Sequence, residues 1–160
     1  MKRKTQIALI TLAVVASTLM VWSDGREARH PTIEGVWQVT RVGVNCNDPN
    51  QTLGSPFPAI MAFHQDGIVN GAAKSPVTGP FDTPEYGSWK REPGSQNYSF
   101  RELQYRYDAN GAFIGSLVLT ANMELTDANS FIYSATIQLA NANGDPIDTR
   151  CGRATGTRFE

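Results

Sequence analysis

The chain has 160 residues, 14 Lys and Arg against 15 Asp and Glu for a formal net charge of -1, and 41% hydrophobic residues. That length holds about one domain, and the balanced charge leaves no electrostatic footprint for nucleic acid or for an anionic membrane surface. The low share of charged residues, 18%, with frequent Thr, Ser, Asn and Gly, suits an extracytoplasmic β protein better than a helical cytosolic one.

At the N-terminus, Lys2, Arg3 and Lys4 form a basic start to an apolar stretch from Ile7 to Trp22. This stretch is shorter than the roughly 20 residues that span a bilayer comfortably. It predicts a signal peptide over 1–25, cleaved after Ser23 or Gly25, with an uncleaved N-terminal anchor as the alternative. No cysteine stands near the apolar stretch, so a lipoprotein anchor is not expected. A polar linker over 26–32, holding His30, leads into a domain over 33–160. Either way the domain is expected to be exported, periplasmic or secreted, with no membrane contact beyond the N-terminal segment.

The first predicted strand is Ile33–Val44, carrying Val36, Trp37, Val39 and Val42, and Asn45–Pro58 reads as a loop rich in Pro, Asn and Gly. Ala59–His64 and Ile68–Ala72 flank Gln65-Asp66-Gly67, a hairpin signal. Ala73–Glu85 holds three prolines and reads as a long loop. Tyr86–Arg91 follows, then a turn at Glu92-Pro93-Gly94. Asn97–Tyr107 changes phase along its length: Tyr98 and Phe100 share one face, Leu103, Tyr105 and Tyr107 the other. This predicts a β-bulge near Arg101-Glu102, aiming Arg101, Glu102 or Arg106 into a cavity; the alternative leaves these charges facing solvent. Ala112–Leu125 puts Phe113, Leu117, Leu119, Ala121, Met123 and Leu125 on one face, and Phe131–Ala140 repeats the alternation that marks a half-buried strand. The last strand is Ile147–Phe159.

Eight strands joined mostly by short turns predict an all-β fold, a closed up-and-down antiparallel β-barrel; a Greek-key β-sandwich is the alternative. A barrel of this size is filled by side chains or holds one small ligand. Cys46 and Cys151 stand near opposite ends of the domain. In an oxidising compartment they are expected to form a disulfide worth ~3–5 kcal/mol, the alternative being two free buried thiols. If bonded, they bring the first strand beside the last, with Val39 near Arg158 and Trp37 near the C-terminal residue, give or take two positions. Arg158, or else Arg153, then lies over the Trp37 ring.

Gly35-Val36-Trp37 resembles the Gly-x-Trp motif of lipocalins and related calycins. The resemblance implies a ligand-holding barrel in which an arginine of the last strand, here Arg158, packs over Trp37. Phe63-His64-Gln65-Asp66-Gly67, Tyr86-Gly87-Ser88-Trp89 and Tyr107-Asp108-Ala109-Asn110-Gly111-Ala112-Phe113 also resemble a broad group of uncharacterised exported bacterial proteins. A looser likeness, at the level of fold class, is to allene-oxide-cyclase-like barrels.

Little in the sequence promises chemistry. Gly-x-Ser-x-Gly is absent, as is a phosphate-cradling glycine loop. Two cysteines and two separated histidines make no metal site, and no cofactor is expected. The candidate catalytic residues are His64, as a general base at a barrel mouth, with Glu102 and Tyr105; the alternative for His64 is a strand-end residue capping a turn. Trp37, Phe63, Trp89, Phe100, Phe113, Phe131 and Tyr133 are candidates to line a ligand pocket, or simply form the core. The expected function is binding or carrying a small hydrophobic molecule, the alternative a barrel cyclase or isomerase acting on a small apolar substrate. A packed envelope protein is a third reading.

Overall fold

A computed structural model describes residues 31–73 and 82–159. The predicted signal peptide, most of the linker with His30, and most of the Ala73–Glu85 loop lie outside the described residues. Eight strands follow one another: β1 (Gly35–Asn45), β2 (Asp48–Phe63), β3 (Ile68–Ala73), β4 (Glu85–Arg91), β5 (Asn97–Tyr107), β6 (Phe113–Asp127), β7 (Ser130–Asn141) and β8 (Pro146–Arg158). Each pairs antiparallel with the next, and β8 pairs with β1, closing the barrel. The meander is the architecture, not the Greek-key sandwich.

Two local expectations are corrected. Most of Asn45–Pro58 is strand rather than loop, because β2 starts at Asp48 and pairs with β1 through Thr52, Leu53, Phe57 and Pro58. Its pairing with β3 begins only at Ala59. The Pro-bearing half therefore has one free edge, where a missing backbone N–H breaks no ladder. The second correction concerns β5. No bulge lies at Arg101-Glu102, since the register with β6 runs unbroken from Asn97 to Arg106 and shifts only before Tyr107. The inward phase continues as Tyr98, Phe100, Glu102 and Gln104, all buried. What changes along β5 is the polarity of the interior, while Leu103 and Tyr105 face outward and are partly exposed.

The seam between β1 and β8 pairs Trp37 with Arg158 and Val39 with Gly156, two positions from the expected register. The offset has a plain cause. Cys151 faces Val44 in the ladder, and Cys46 sits in the turn beyond β1 and reaches back to form the disulfide. Such a bond is compatible with an oxidising, exported location.

One end of the barrel is shut. Trp37 is fully buried and its Nε1 donates to the Ile33 carbonyl at 2.7 Å. The Arg158 guanidinium lies 4.3 Å from the Trp37 ring centre. It donates to the carbonyls of Glu34 at 2.6 Å, Thr32 at 2.7 Å and Ala128 at 3.0 Å. One planar cation thus covers the indole and satisfies two carbonyls of the segment before β1 and one of the β6–β7 turn. Gly35 makes room for it: its φ is +125°, and a Cβ there would lie 2.7 Å from Arg158 Nη1. Gly35→Ala is accordingly expected to lose roughly 1–3 kcal/mol from backbone strain and displacement of the guanidinium. Denaturant unfolding checks this; an unchanged midpoint would mean that the arginine yields freely.

Above this plug, Phe131 lies 4.9 Å from Trp37, and Phe63, Phe100 and Tyr133 continue the cluster at ring separations of 5.2–6.3 Å. Phe63 meets Phe100 and Phe131 edge-on, and Phe100 meets Tyr133 the same way, packing that suits the ring quadrupoles. It leaves the shut half of the barrel filled.

Candidate functional site

Two positions further along β1 the interior stops being apolar. Trp37, Val39 and Arg41 share the inward phase, so alternation alone carries the guanidinium inside, where Arg41 is 6% exposed. From β4, Glu85 meets it, Arg41 Nη1 donating to Glu85 Oε1 at 2.6 Å. From β5, Glu102 approaches, with Arg41 Nη2 3.6 Å from Glu102 Oε2. Both carboxyls are buried, Glu102 to 1% exposure. Gly71 on β3 admits them: a Cβ there would collide with Glu85 Oε2 and lie 3.1 Å from Glu102 Oε1. Gln104, next inward on β5, donates through Nε2 to the Thr83 carbonyl at 2.9 Å.

A buried cation between two carboxyls cannot leave both ionised at low cost. Burial, reinforced by the negative charge of Glu85 and only partly offset by Arg41, pushes the Glu102 carboxyl up to about 8. Burial alone works against the Arg41 charge, but the Glu85 carboxylate bonded to it outweighs burial and holds the guanidinium protonated. Burial also raises the Tyr133 hydroxyl, with the Arg41 charge opposing, so Tyr133 stays a neutral donor. At neutral pH the cluster is an Arg41–Glu85 ion pair beside a carboxylic acid.

This predicts a pH signature. Glu102 ionises with an ordinary value of 4.5 when exposed and about 8 when buried. The native state therefore holds a proton that the unfolded chain has released between those values, and stability falls as pH rises. The stabilisation is complete below 4.5 and gone above about 8. The expected slope from this group is about 1.4 kcal/mol per pH unit over that window. Glu102→Gln, a neutral isostere, should abolish the slope while costing little near pH 5. Urea midpoints at several pH values check this, and a slope retained in the variant would assign it elsewhere.

Next to these groups, toward the disulfide end, lies a cavity of about 100 Å³. Arg41, Glu85, Gln104 and Tyr133 give it polar walls; Phe57, Leu117, Leu119, Ala135 and Ile137 give it apolar ones. Leu53, Arg150 and Cys151 also line it, and the exposure of Leu53 and Arg150 marks the side facing solvent. Several polar atoms around it are buried without a hydrogen-bond partner among the described residues: Arg41 Nε and Nη2, Glu85 Oε2, both Glu102 carboxyl oxygens and the Tyr133 hydroxyl. Orphaned polar groups cost free energy in a closed interior. Here they gather beside the cavity.

The residues anticipated from sequence fall in different places. Tyr133 lines the cavity. Trp37, Phe63, Phe100 and Phe131 pack against one another below it, and Trp89 is partly buried against Phe63 and Tyr98. Phe113 is 43% exposed at a rim beside Tyr105 and Tyr107. Of the three catalytic candidates, Glu102 is inside, Tyr105 is on the outer face of the same strand, and His64 is exposed at the β2–β3 turn. The His64 carbonyl accepts from Gly67 N at 3.1 Å and Trp89 Nε1 at 2.9 Å. The structure does not bring the three together. Sequence reasoning missed Arg41, Glu85 and Gln104. The inward phase set by Trp37 and Val39 pointed to Arg41; no signal pointed to Glu85, at the end of a proline-rich segment.

Among the described residues no three His, Cys, Asp or Glu side chains converge as a metal site would. No protein-family model matches the chain, and no curated protein matches it significantly.

Proposed function

We propose that this protein is an exported, calycin-like barrel that binds or carries a small, largely apolar molecule in its interior. The carrying observation is the cavity above the Arg41–Glu85–Glu102 cluster, apolar on one side and holding unpartnered donors on the other. Its volume of about 100 Å³ lies below the 300–1,000 Å³ or so of drug-sized sites. The guest, or the part of it that enters, is on the order of six non-hydrogen atoms. The Trp37–Arg158 plug closes one end, so entry is from the disulfide end.

Native mass spectrometry of protein purified from its own host tests the reading. A small molecule should travel with the wild type and be lost from Ala135→Phe, which fills the cavity. A wild-type mass equal to that of the bare polypeptide, together with no binding of small apolar probes, would refute it.

A second reading, an isomerase or cyclase acting on a small apolar substrate, draws support from the two carboxyls. One is ion-paired and the other keeps its proton to about 8, the separation of roles that acid–base chemistry needs. Turnover abolished in Glu85→Gln and reduced in Tyr133→Phe would favour it over a carrier.

A further inference from the structure

The polar half of the cavity also limits what head group a guest can carry. Resting on the binding reading above, we infer that the ligand is an uncharged carbonyl compound, a ketone, ester or lactone, whose oxygen is held by Arg41 and Tyr133.

Charge balance is the first ground. Arg41 and Glu85 cancel one another at 2.6 Å, and Glu102 is the neutral member of the cluster near pH 7. At the buried floor a carboxylate guest would bring an unpaired negative charge beside Glu85, and an ammonium an unpaired positive charge beside Arg41. The other lining cations, Arg150 and Arg153, are exposed on the solvent side, Arg150 paired with Asp148. Burying an unpaired charge costs far more than one hydrogen bond contributes.

The second ground is the direction of the free groups. Arg41 and Tyr133 both line the cavity, the Tyr133 hydroxyl close beside the guanidinium. Neither Arg41 Nε–H nor the Tyr133 hydroxyl makes a well-formed hydrogen bond among the described residues. Both residues are at least nine-tenths buried, so water does not satisfy them cheaply. The free acceptor Glu85 Oε2 turns toward Gly71, which does not line the cavity, and Gln104 Nε2 is already committed to Thr83. The vacant positions on the cavity side are donors. A carbonyl oxygen has two lone pairs and accepts from both at once. An alcohol hydrogen finds only the Tyr133 hydroxyl oxygen as an acceptor, and a guest that donates there leaves the Tyr133 hydrogen without a partner.

The third ground is the opposite wall, where Leu117, Leu119, Ala135 and Ile137 suit a short hydrocarbon body. Together these features describe a small ring or short chain bearing one carbonyl.

The test is an NMR titration of the disulfide-bonded protein at pH 7 with cyclopentanone, cyclopentane, cyclopentanol, cyclopentylamine and cyclopentanecarboxylate. Cyclopentanone is expected to bind at least about tenfold more tightly than cyclopentane, the worth of one to two hydrogen bonds. Tyr133→Phe should erase roughly five- to tenfold of that preference, with the dispersion of its amide spectrum showing that the variant is folded. Tightest binding by the acid, the amine or the alcohol overturns the carbonyl assignment. So does equal binding of cyclopentane and cyclopentanone, which would leave the cavity reading standing. Binding by none of the five overturns that underlying reading as well.

Discussion

Replacing Arg41 by alanine is expected to destabilise the barrel by roughly 3–5 kcal/mol near pH 7, more than the loss of packing volume alone accounts for. Arg41 is 6% exposed and holds Glu85 at 2.6 Å with Glu102 close by. Without the guanidinium, Glu85 is a buried carboxylate, with a second carboxyl beside it over Gly71. The two acids must then take up a proton or expose themselves to water. The cost should shrink as pH falls, because protonation removes the unpaired charge. It should also shrink in Arg41→Met combined with Glu85→Gln, where no net charge is left behind. Urea unfolding of the two single variants and the double variant measures this as a coupling. A loss below about 1 kcal/mol for Arg41→Ala, the level of a solvent-exposed pair, would show that water reaches the cluster freely.

Removing the disulfide should have an effect of similar size by a different route. The bond joins residues 105 apart in sequence, closing most of the domain into one loop. The chain-entropy argument assigns such a loop about 3–5 kcal/mol, or on the order of 10–20 °C in melting temperature for a domain of this length. Cys46→Ser with Cys151→Ser should therefore melt well below the wild type. The local consequence is as specific. The first half of β2 pairs only with β1, and the bond fastens the turn between them to β8 beside the cavity. Amide exchange should rise first over Asp48–Pro58, while the Trp37–Arg158 end keeps its protection. Uniform loosening of the barrel, or a melting temperature within a few degrees of the wild type, would contradict this.

Much of the fold was legible because period-two alternation is a strong signal wherever one face is buried. β6 and β7 show it over their whole length, and the Cys46–Cys151 pair alone implied that the first and last strands are neighbours. The register it implied left Arg158 and Arg153 both open for the Trp37 ring, and the resemblance to the Gly-x-Trp motif favoured Arg158. The candidate site was harder to read for a physical reason. Alternation identifies the inside of a strand by its apolar residues, and a polar layer inside a barrel inverts that rule. On β5, Leu103, Tyr105 and Tyr107 looked like a new apolar face, so that a bulge was needed to bring Glu102 inside. The structure keeps one phase, with Glu102 and Gln104 buried and Leu103 and Tyr105 partly exposed. The apparent change of phase was a sign of interior polarity, since one strand can keep its register while its surroundings change from aromatic to ionic. On β1 the phase of Trp37 and Val39 carried Arg41 inside, and an arginine in that phase asks for a buried carboxylate. Which carboxylate could not be read from spacing, because Glu85 comes from a strand 44 residues away. The glycine that admits it, Gly71, looked like an ordinary small residue in a short strand.

The stability of the cluster and the proposed binding both rest on one electrostatic arrangement, an ion pair with a neutral acid beside it at the cavity floor. The most direct measurement is a carbon-13 NMR titration of the Glu102 side-chain carboxyl, assigned by comparison with Glu102→Gln. The account predicts a resonance that keeps its protonated shift through neutral pH and titrates with a midpoint near 8. A midpoint near the ordinary 4.5 would contradict it, because Glu102 would then be charged and solvated and the cavity floor would not be neutral.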